Sequence, residues 1–265
     1  MKRWLTPRRA AWLASILGTV TGVIVFAPAV WMANAIHSAT AGKVQLLNAR
    51  GTVWSGHADL KLTGGDGSRT VTGLPQGIHW RLSPGWADGQ PAALIQLSAP
   101  CCTPAPLQAT VLPGMSGATV RLNAPRSHWP AELLTGLGTP WNTLRLDGLL
   151  ALETERFELN FASGRLVADG TVTVEALDVA SRVATIRPLG SYQVAFEASK
   201  QSRQANITLK TLNGSLLLDG SGLWTGSRVR FTGEARAAAG KEAALNNLLN
   251  IIGRRQGAAS LIRIG

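Results

Sequence analysis

The residues of this sequence that could catalyse a reaction or bind a metal do not form a recognisable catalytic motif. Three glutamates, Glu153, Glu155 and Glu158, are close in the chain, but on a strand the first two share a solvated face. Hydrolases usually take their paired carboxylates from distant segments. The histidines show neither i, i+4 spacing nor HExxH, as zinc enzymes would require: His37, His57, His79 and His128. We therefore predict no enzyme, no catalytic residue, no cofactor and no metal site.

The two cysteines, Cys101 and Cys102, are adjacent in the chain. A disulfide between neighbours is disfavoured because their Cβ atoms point apart. No second cysteine or histidine pair has metal-ligand spacing. Two free thiols or intermolecular links are therefore the simplest interpretations.

A Trp-x-Gly motif occurs twice, as Trp54–Gly56 in RGTVWSGHADLKL and as Trp224–Gly226 in DGSGLWTGSRVRF. We interpret it as the start of a β-segment, where the glycine allows a bend and the indole packs over it. The glycines from Gly220 to Gly226 superficially resemble a phosphate-binding loop. A strand pattern follows them instead of a helix, so a turn or bulge is the preferred interpretation.

The N-terminal segment predicts a membrane anchor. Residues 10–36 contain no charged residue and are long enough, as one helix, to cross about 30 Å of hydrocarbon. Pro28 is tolerable in such a helix, and Trp4, Trp12 and Trp31 lie near its ends. Residues 1–9 are basic, which places them in the cytoplasm and residues 37–265 across the membrane. A cleaved signal peptide is the alternative, since residues 33–35 read Ala-Asn-Ala.

The charge balance favours an acidic or anionic partner. The chain has 265 residues and a net charge of +11. Four of its 26 basic residues precede the apolar segment, so 22 basic and 15 acidic residues remain, a net charge of +7. An anionic membrane face or an acidic partner fits this balance. Nucleic acid does not, because the basic residues are not interleaved with aromatic ones.

The rest of the chain is predicted to be mainly β, an antiparallel sheet domain with one or two short helices. The 29 glycines and the low charged fraction of 15% suit a turn-rich β-protein. Apolar and polar residues alternate through most segments, and Asn213-Gly214 predicts a two-residue hairpin turn. Crossover helices are missing, which excludes parallel βαβ units.

Two helices are predicted in this part. Pro130 begins one that ends at Gly136 or Gly138, and residues 241–253 form the other. The second helix carries an apolar stripe and is followed by two arginines near its negative end. We take these as candidate protein-contact residues: Leu245, Leu248, Leu249, Ile252, Arg254 and Arg255.

Residues 84–130 are richer in proline and glycine than their surroundings. They fit either a linker between two β-lobes or loops within one sheet. A division of the domain near this stretch therefore remains one of two interpretations.

The chain resembles the type II secretion system protein N family. The resemblance lies in the single predicted span, in GTVWSGHADL, in GLGTPWNTLRLDGLLAL and in LNGSLLLDGSGLW. It is most specific in RFTGEARAAAGKEAALNNLLNIIGRRQGAASLIRIG, residues 230–265. Residues 64–130 match less clearly.

The resemblance implies a bacterial inner-membrane protein with a single span, a cytoplasmic N-terminus and a β-rich periplasmic part. Its implied role is non-enzymatic, in the assembly or stability of the inner-membrane platform for export of folded proteins. Its implied partners are other platform proteins. The alternative function is an envelope lipid- or ligand-binding β-module tethered to the inner membrane.

Overall fold

The computed structural model describes residues 7–65, 70–202, 204–226 and 228–265. Most of the predicted basic tail, including Lys2, Arg3 and Trp4, lies outside the described residues.

The described chain consists almost entirely of strands after its first 40 residues. The helices are α1 Pro7–Val25, α2 Ala29–Ala39, α3 Trp141–Leu144 and α4 Glu242–Ile252, with a 3₁₀ helix at Ala131–Leu137. The first eight strands are β1 Val44–Gly51, β2 Ser55–Thr63, β3 Val71–Gly73, β4 Ile78–Ala87, β5 Gln90–Ser98, β6 Leu107–Gly114, β7 Gly117–Asn123 and β8 Ser127–Pro130. The other eight are β9 Leu146–Ala162, β10 Arg165–Ser181, β11 Gly190–Ser199, β12 Gln204–Gly214, β13 Leu216–Trp224, β14 Val229–Ala237, β15 Arg254–Gln256 and β16 Ala259–Ile264.

All sixteen of these strands belong to one antiparallel sheet. The order is β1-β2-β4-β5-β6-β7-β9-β10-β11-β12-β13-β14-β16-β15, with β3 beside β2 and β8 beside β9. Most neighbours in the sheet are also neighbours in the chain, so short connections suffice. The predicted mainly β, antiparallel class is confirmed. The stretch at residues 84–130 contributes strands β4 to β8 to this same sheet.

One face of the sheet is apolar along its whole length. Side chains of paired residues in antiparallel strands lie on the same face, and alternate residues of a strand share it. The following pairs carry this face from one end of the sheet to the other: Leu46 with Leu60, Ala58 with Ile78, Trp80 with Leu97, Val111 with Val120, Val120 with Leu159, Val174 with Val194, Val194 with Leu209 and Phe231 with Ile264.

The opposite face is polar, and its cross-strand pairs show it. Glu175 pairs with Gln193, Gln193 with Lys210, and Lys210 with Asp219. Elsewhere on this face Arg121 pairs with Glu158. The alternation of apolar and polar residues in the sequence therefore gives the sheet one apolar and one polar face.

The apolar face is covered at two places, which form two cores. Near the N-terminus, α2 packs on it with Ala29 and Ala33, against Leu46, Ala58 and Trp80. Near the C-terminus, α4 packs on it with residues that are at most 2% exposed: Leu245, Leu248 and Leu249. Between and above these cores the face is only half-buried. The accessible surface of 16279 Å² exceeds the roughly 11,000 Å² expected for a compact chain of this mass.

The N-terminal segment is two helices and not the single predicted helix over residues 10–36. The break lies at residues 26–28, because Pro28 has an extended backbone, with ψ of 144°, and forms a bridge to Thr52 of the sheet. Within the described part of the chain, no helix combines the length and the apolar character that a membrane crossing requires.

The two other predicted helices are confirmed, the first as a 3₁₀ helix. It follows Pro130 and ends at Gly138, whose φ is +86°. The second is α4, which is followed by the short strands β15 and β16.

The predicted hairpin turn at Asn213-Gly214 is wrong, although β12 and β13 do pair. Both residues continue the ladder with β11, opposite Ser191 and Gly190. A Cβ on Gly214 would lie only 2.2 Å from the Cα of Gly190. Tertiary packing against β11 therefore decides this conformation, and the local turn preference of Asn-Gly does not.

The adjacent cysteines form a disulfide with each other, against the expectation of free thiols or intermolecular links. Cys102 is 4% exposed and belongs to the core under α2. Its carbonyl accepts a hydrogen bond from the backbone N–H of His128 at 2.8 Å.

The burial of α4 predicts a large stability loss on truncation of Leu249, which is fully buried. Leu249→Ala should lower the free energy of unfolding by about 2–5 kcal/mol, measured by urea denaturation of the full chain. Ile251→Ala is the matched control on the same helix, because Ile251 is 40% exposed, and should cost less than about 1 kcal/mol. Equal losses would contradict the packing of α4 on the sheet.

Candidate interaction surfaces

The first Trp-x-Gly motif joins the N-terminal helix to the sheet. The indole Nε1 of Trp54 donates a 2.7 Å hydrogen bond to the carbonyl of Ile24, in the last turn of α1. The backbone N–H of Val53 donates to the carbonyl of Ala27 at 2.9 Å. The last four carbonyls of a helix have no intrahelical partner. Trp54 binds one of them and thereby holds the C-terminal end of α1 against the sheet.

Residue 56 has to be a glycine because the ring of Trp80 lies against it. A Cβ at Gly56 would lie 2.5 Å from a ring carbon of Trp80 and 2.5 Å from the carbonyl oxygen of Arg50. The Trp80 Nε1 lies 3.2 Å from the carbonyls of Thr52 and Val53. The indole over Gly56 is thus Trp80 from the next strand along the sheet, and not Trp54 as the motif alone indicated.

The second motif has a different setting. Trp224 is the last residue of β13, whereas the motif was expected to start a strand. Its ring lies 5.5 Å from that of Phe196, which in turn lies 6.0 Å from that of Phe157. Gly226 has φ of +83°, and a Cβ there would be 2.9 Å from the carbonyl of Leu166. The two occurrences of the motif therefore have the same residue types but different structural roles.

The glycines before Trp224 lie inside a strand and not in the predicted turn or bulge. Gly220 and Gly222 belong to β13, and ring atoms of Phe231 lie 2.5 and 3.0 Å from where their Cβ atoms would be. The ring of Phe231 therefore lies flat over this part of the apolar face.

The structure separates the six candidate contact residues into two groups. The α4 leucines Leu245, Leu248 and Leu249 are buried in the chain's own core and are not available to a partner in this conformation. Ile252 packs at the margin of that core, Arg254 is exposed and Arg255 is half-buried. The three last residues lie together at the edge of the sheet.

A cavity of about 930 Å³ lies at this edge. Arg254, Arg255 and Arg263 line it together with isoleucine side chains. The Nη1 of Arg255 is enclosed and has no hydrogen-bond partner among the described residues. The sequence indicated the two adjacent arginines, but only the β15–β16 hairpin adds Arg263 to them.

An ion-pair network lies on the polar face. Arg121 contacts Asp88 at 2.5 Å and Glu158 at 3.5 Å, and Lys200 contacts Glu158 at 3.0 Å. The hydrogen bond from Arg121 lowers the pKa of Asp88 below its ordinary value. Glu158 is partly buried, but Asp88, Arg121 and Lys200 are about half exposed, so solvent screening leaves the network a small stabilising role.

The residues considered for catalysis are not brought together. Glu153 and Glu155 are exposed as expected, and Glu158 belongs to the ion-pair network. His57 and His79 face each other across β2 and β4 with ring centroids 5.8 Å apart, a pairing that their sequence spacing did not indicate. Within the described ranges, no group of three or more metal-ligating side chains is found.

The sequence matches the family described as type II secretion system (T2SS), protein N, over residues 42–261. The chain belongs to this family. The match covers the sheet almost from end to end and leaves out α1 and α2. No curated protein and no solved structure gave a match.

Family membership makes the chain a component of type II secretion, associated with the cell envelope and with other proteins of that machinery. The resemblance that the sequence motifs predicted is thereby confirmed. The matched residues include the β-sheet domain and Trp54, but not Ile24 or Ala27 on the helix side of the joint.

The close approach of Trp80 predicts that Gly56→Ala is destabilising, by about 1–3 kcal/mol in urea denaturation, because the new methyl group overlaps a ring and a backbone carbonyl. Gly73→Ala is the control in a neighbouring strand, where a Cβ would meet its nearest atom at 3.7 Å. That variant should stay within about 0.5 kcal/mol of the parent chain. An unchanged Gly56→Ala protein would contradict the described joint.

Proposed function

We propose that this chain is a non-enzymatic inner-membrane component of type II secretion that helps to assemble or stabilise the inner-membrane platform. The observation that carries the proposal is the joint at Trp54, which connects an apolar helix to the sheet domain of a secretion family. The helix is the proposed anchor, and the sheet is the proposed periplasmic part.

The anchor proposal is supported by the exposure of α1. Apolar side chains are exposed around the helix and onward to Phe26, at 48–75%: Trp12, Leu13, Ile16, Leu17, Val20, Val23, Ile24, Val25 and Phe26. A helix that is apolar on all sides is stable when it is buried in a protein or a membrane. Exposed to water, the same surface would cost about 25 cal/mol per Å².

The orientation follows from charge. Arg8 and Arg9 stand at the start of α1, and cytoplasmic flanks of spans are rich in such residues. We therefore place the N-terminus in the cytoplasm and the sheet in the periplasm. The intervening α2 lies against β1 and β2 and belongs to the domain.

The proposed partners are other inner-membrane proteins of the secretion machinery. Ile252, Arg254 and Arg255 remain candidate contact residues, because they lie at the margin of the sheet. The buried leucines of α4 would require the helix to leave its core, which makes them poor contacts for a partner. We propose that their role is to hold α4 on the sheet.

The anchor is tested by charge substitution on α1. Leu13→Lys with Leu17→Lys should move the protein from the membrane pellet to the supernatant after carbonate extraction, since a lysine costs about 2.5–3.5 kcal/mol at the centre of a span. The control is Leu47→Lys with Leu212→Lys, two exposed leucines of the sheet, which should leave the protein in the pellet. Membrane retention of both variants would contradict the anchor.

The platform role is tested by deletion of the gene. We expect lower release of exported proteins and lower abundance of at least one other inner-membrane secretion component, because an unassembled platform protein is exposed to proteolysis. Restoration by the wild-type chain, measured by quantitative mass spectrometry of membranes and medium, is the control. Unchanged secretion and unchanged abundance of every component would refute the proposal.

A second candidate function is binding of an envelope lipid. The observation that favours it is the continuous apolar face, which the helices of the described chain cover only in part. Lipid binding is compatible with a role in secretion.

A further inference from the structure

The cavity at the last edge of the sheet combines a cationic wall with an apolar one. Arg254, Arg255 and Arg263 line the first, and Ile252 and Ile262 lie in the second. Its volume of about 930 Å³ is within the range of small-molecule sites. An amphipathic ligand with a negative end fits such a lining.

No carboxylate of the described residues pairs with the cationic wall. None of the salt bridges between described residues involves Arg254, Arg255 or Arg263. The enclosed Nη1 of Arg255 has no hydrogen-bond partner there. A buried charged donor without an acceptor is costly, and guanidinium groups match phosphate and carboxylate oxygens in geometry. An oxyanion would therefore relieve this unmet hydrogen-bonding need.

The apolar wall continues onto the apolar face of the sheet. Ile262 and Ile264 pair with Gly233 and Phe231 of β14, so all four lie on that face. Arg255 pairs with Ser260 and lies on it too. Arg254 pairs with Leu261 and Arg263 with Thr232, so these two arginines belong to the polar face and line the cavity from the other side of the sheet edge. Ile264 is 56% exposed, so the path is open to a ligand where it leaves the cavity.

The ring of Phe231 fills the space over Gly220 and Gly222, so the path next crosses the outer side of this ring. Trp224, at the end of the same strand as these glycines, contacts Phe196. From β16 to β11 the sheet crosses four strand spacings, about 19 Å. An acyl chain, which spans half of a bilayer core, is about 15 Å long.

We propose that this site binds an anionic phospholipid, with the phosphate at the sheet edge between Arg255 of the apolar face and Arg254 and Arg263 of the polar face, and with an acyl chain along the apolar face from Ile262 to Trp224. The inference deepens the second candidate function and does not depend on the role in platform assembly. An acidic protein segment would satisfy the arginines but would leave the adjoining apolar face uncovered. The exposed apolar surface of α1, at the other end of the same domain, favours contact with lipid.

The test uses the full chain in neutral detergent and phosphatidylglycerol whose acyl chains carry bromine, which quenches tryptophan fluorescence on contact. We expect saturable quenching, smaller in a Trp224→Phe variant, and at least tenfold weaker quenching by brominated phosphatidylcholine. Replacing Arg254, Arg255 and Arg263 together by glutamine should weaken binding at least tenfold.

The matched control replaces three exposed arginines distant from the cavity by glutamine, with the same change in net charge: Arg50, Arg81 and Arg165. It should bind phosphatidylglycerol as the parent chain does. Circular dichroism monitors folding of both triple variants. The double variant Arg254→Glu with Arg263→Glu alters only exposed positions and should also bind at least tenfold more weakly, in case the triple variant does not fold.

Three outcomes would overturn the proposal. An equal loss of phosphatidylglycerol binding in both triple variants would show that the lipid is attracted by net charge and not by a specific site. Full competition by inorganic phosphate without quenching by brominated chains would show a free-anion site. Displacement by a poly-glutamate peptide, again without quenching, would assign the arginines to an acidic protein segment. None of these outcomes changes what the gene deletion shows about secretion. The lipid-site proposal can therefore be refuted while the platform proposal stands, and the reverse.

Discussion

The apolar face of the antiparallel sheet has to be shielded from water, and most features of the molecule answer this requirement. Period-two alternation along the strands places a continuous row of large apolar side chains on one side, because paired residues share a face. A single layer cannot bury that face by itself. The helices α2 and α4 cover it near its two ends and create two cores instead of one. Between the two helices the apolar face stays partly exposed.

Glycine and aromatic residues supply a second, local form of cover. Trp80 lies over Gly56, and Phe231 lies over Gly220 and Gly222. In each case a ring occupies space that a side chain on the facing strand would have taken. The aromatic rings thereby cover part of the sheet without another layer of structure. Any side chain introduced at these glycines would collide with a ring. The abundance of glycine in the composition has this structural reason as well as its use in turns.

The connection between helix and sheet links fold to function. Backbone and indole hydrogen bonds from residues 53 and 54 hold the end of α1 beside β2, so an anchored helix would fix the orientation of the whole sheet. The edge formed by β15 and β16 lies at the other end of the strand order, where three arginines remain unpaired by carboxylates of the described chain. One end of the sheet is therefore joined to α1 and the other is cationic, and the apolar face lies between them.

The sequence by itself determined the strand-rich class, the two short helices of the sheet domain and the family, because alternation, capping residues and motif letters are local signals. It also indicated the adjacent arginines and the apolar stripe of α4. Only the tertiary structure decided that the leucines of this stripe are core, that Asn213 and Gly214 continue a ladder and that Cys101 bonds to Cys102. It alone placed Trp80, and not Trp54, over Gly56, and added Arg263 to the arginine cluster. The physical reason is the same in each case: these outcomes depend on which strand becomes the neighbour, and cross-strand register is set by packing between residues that are distant in the sequence.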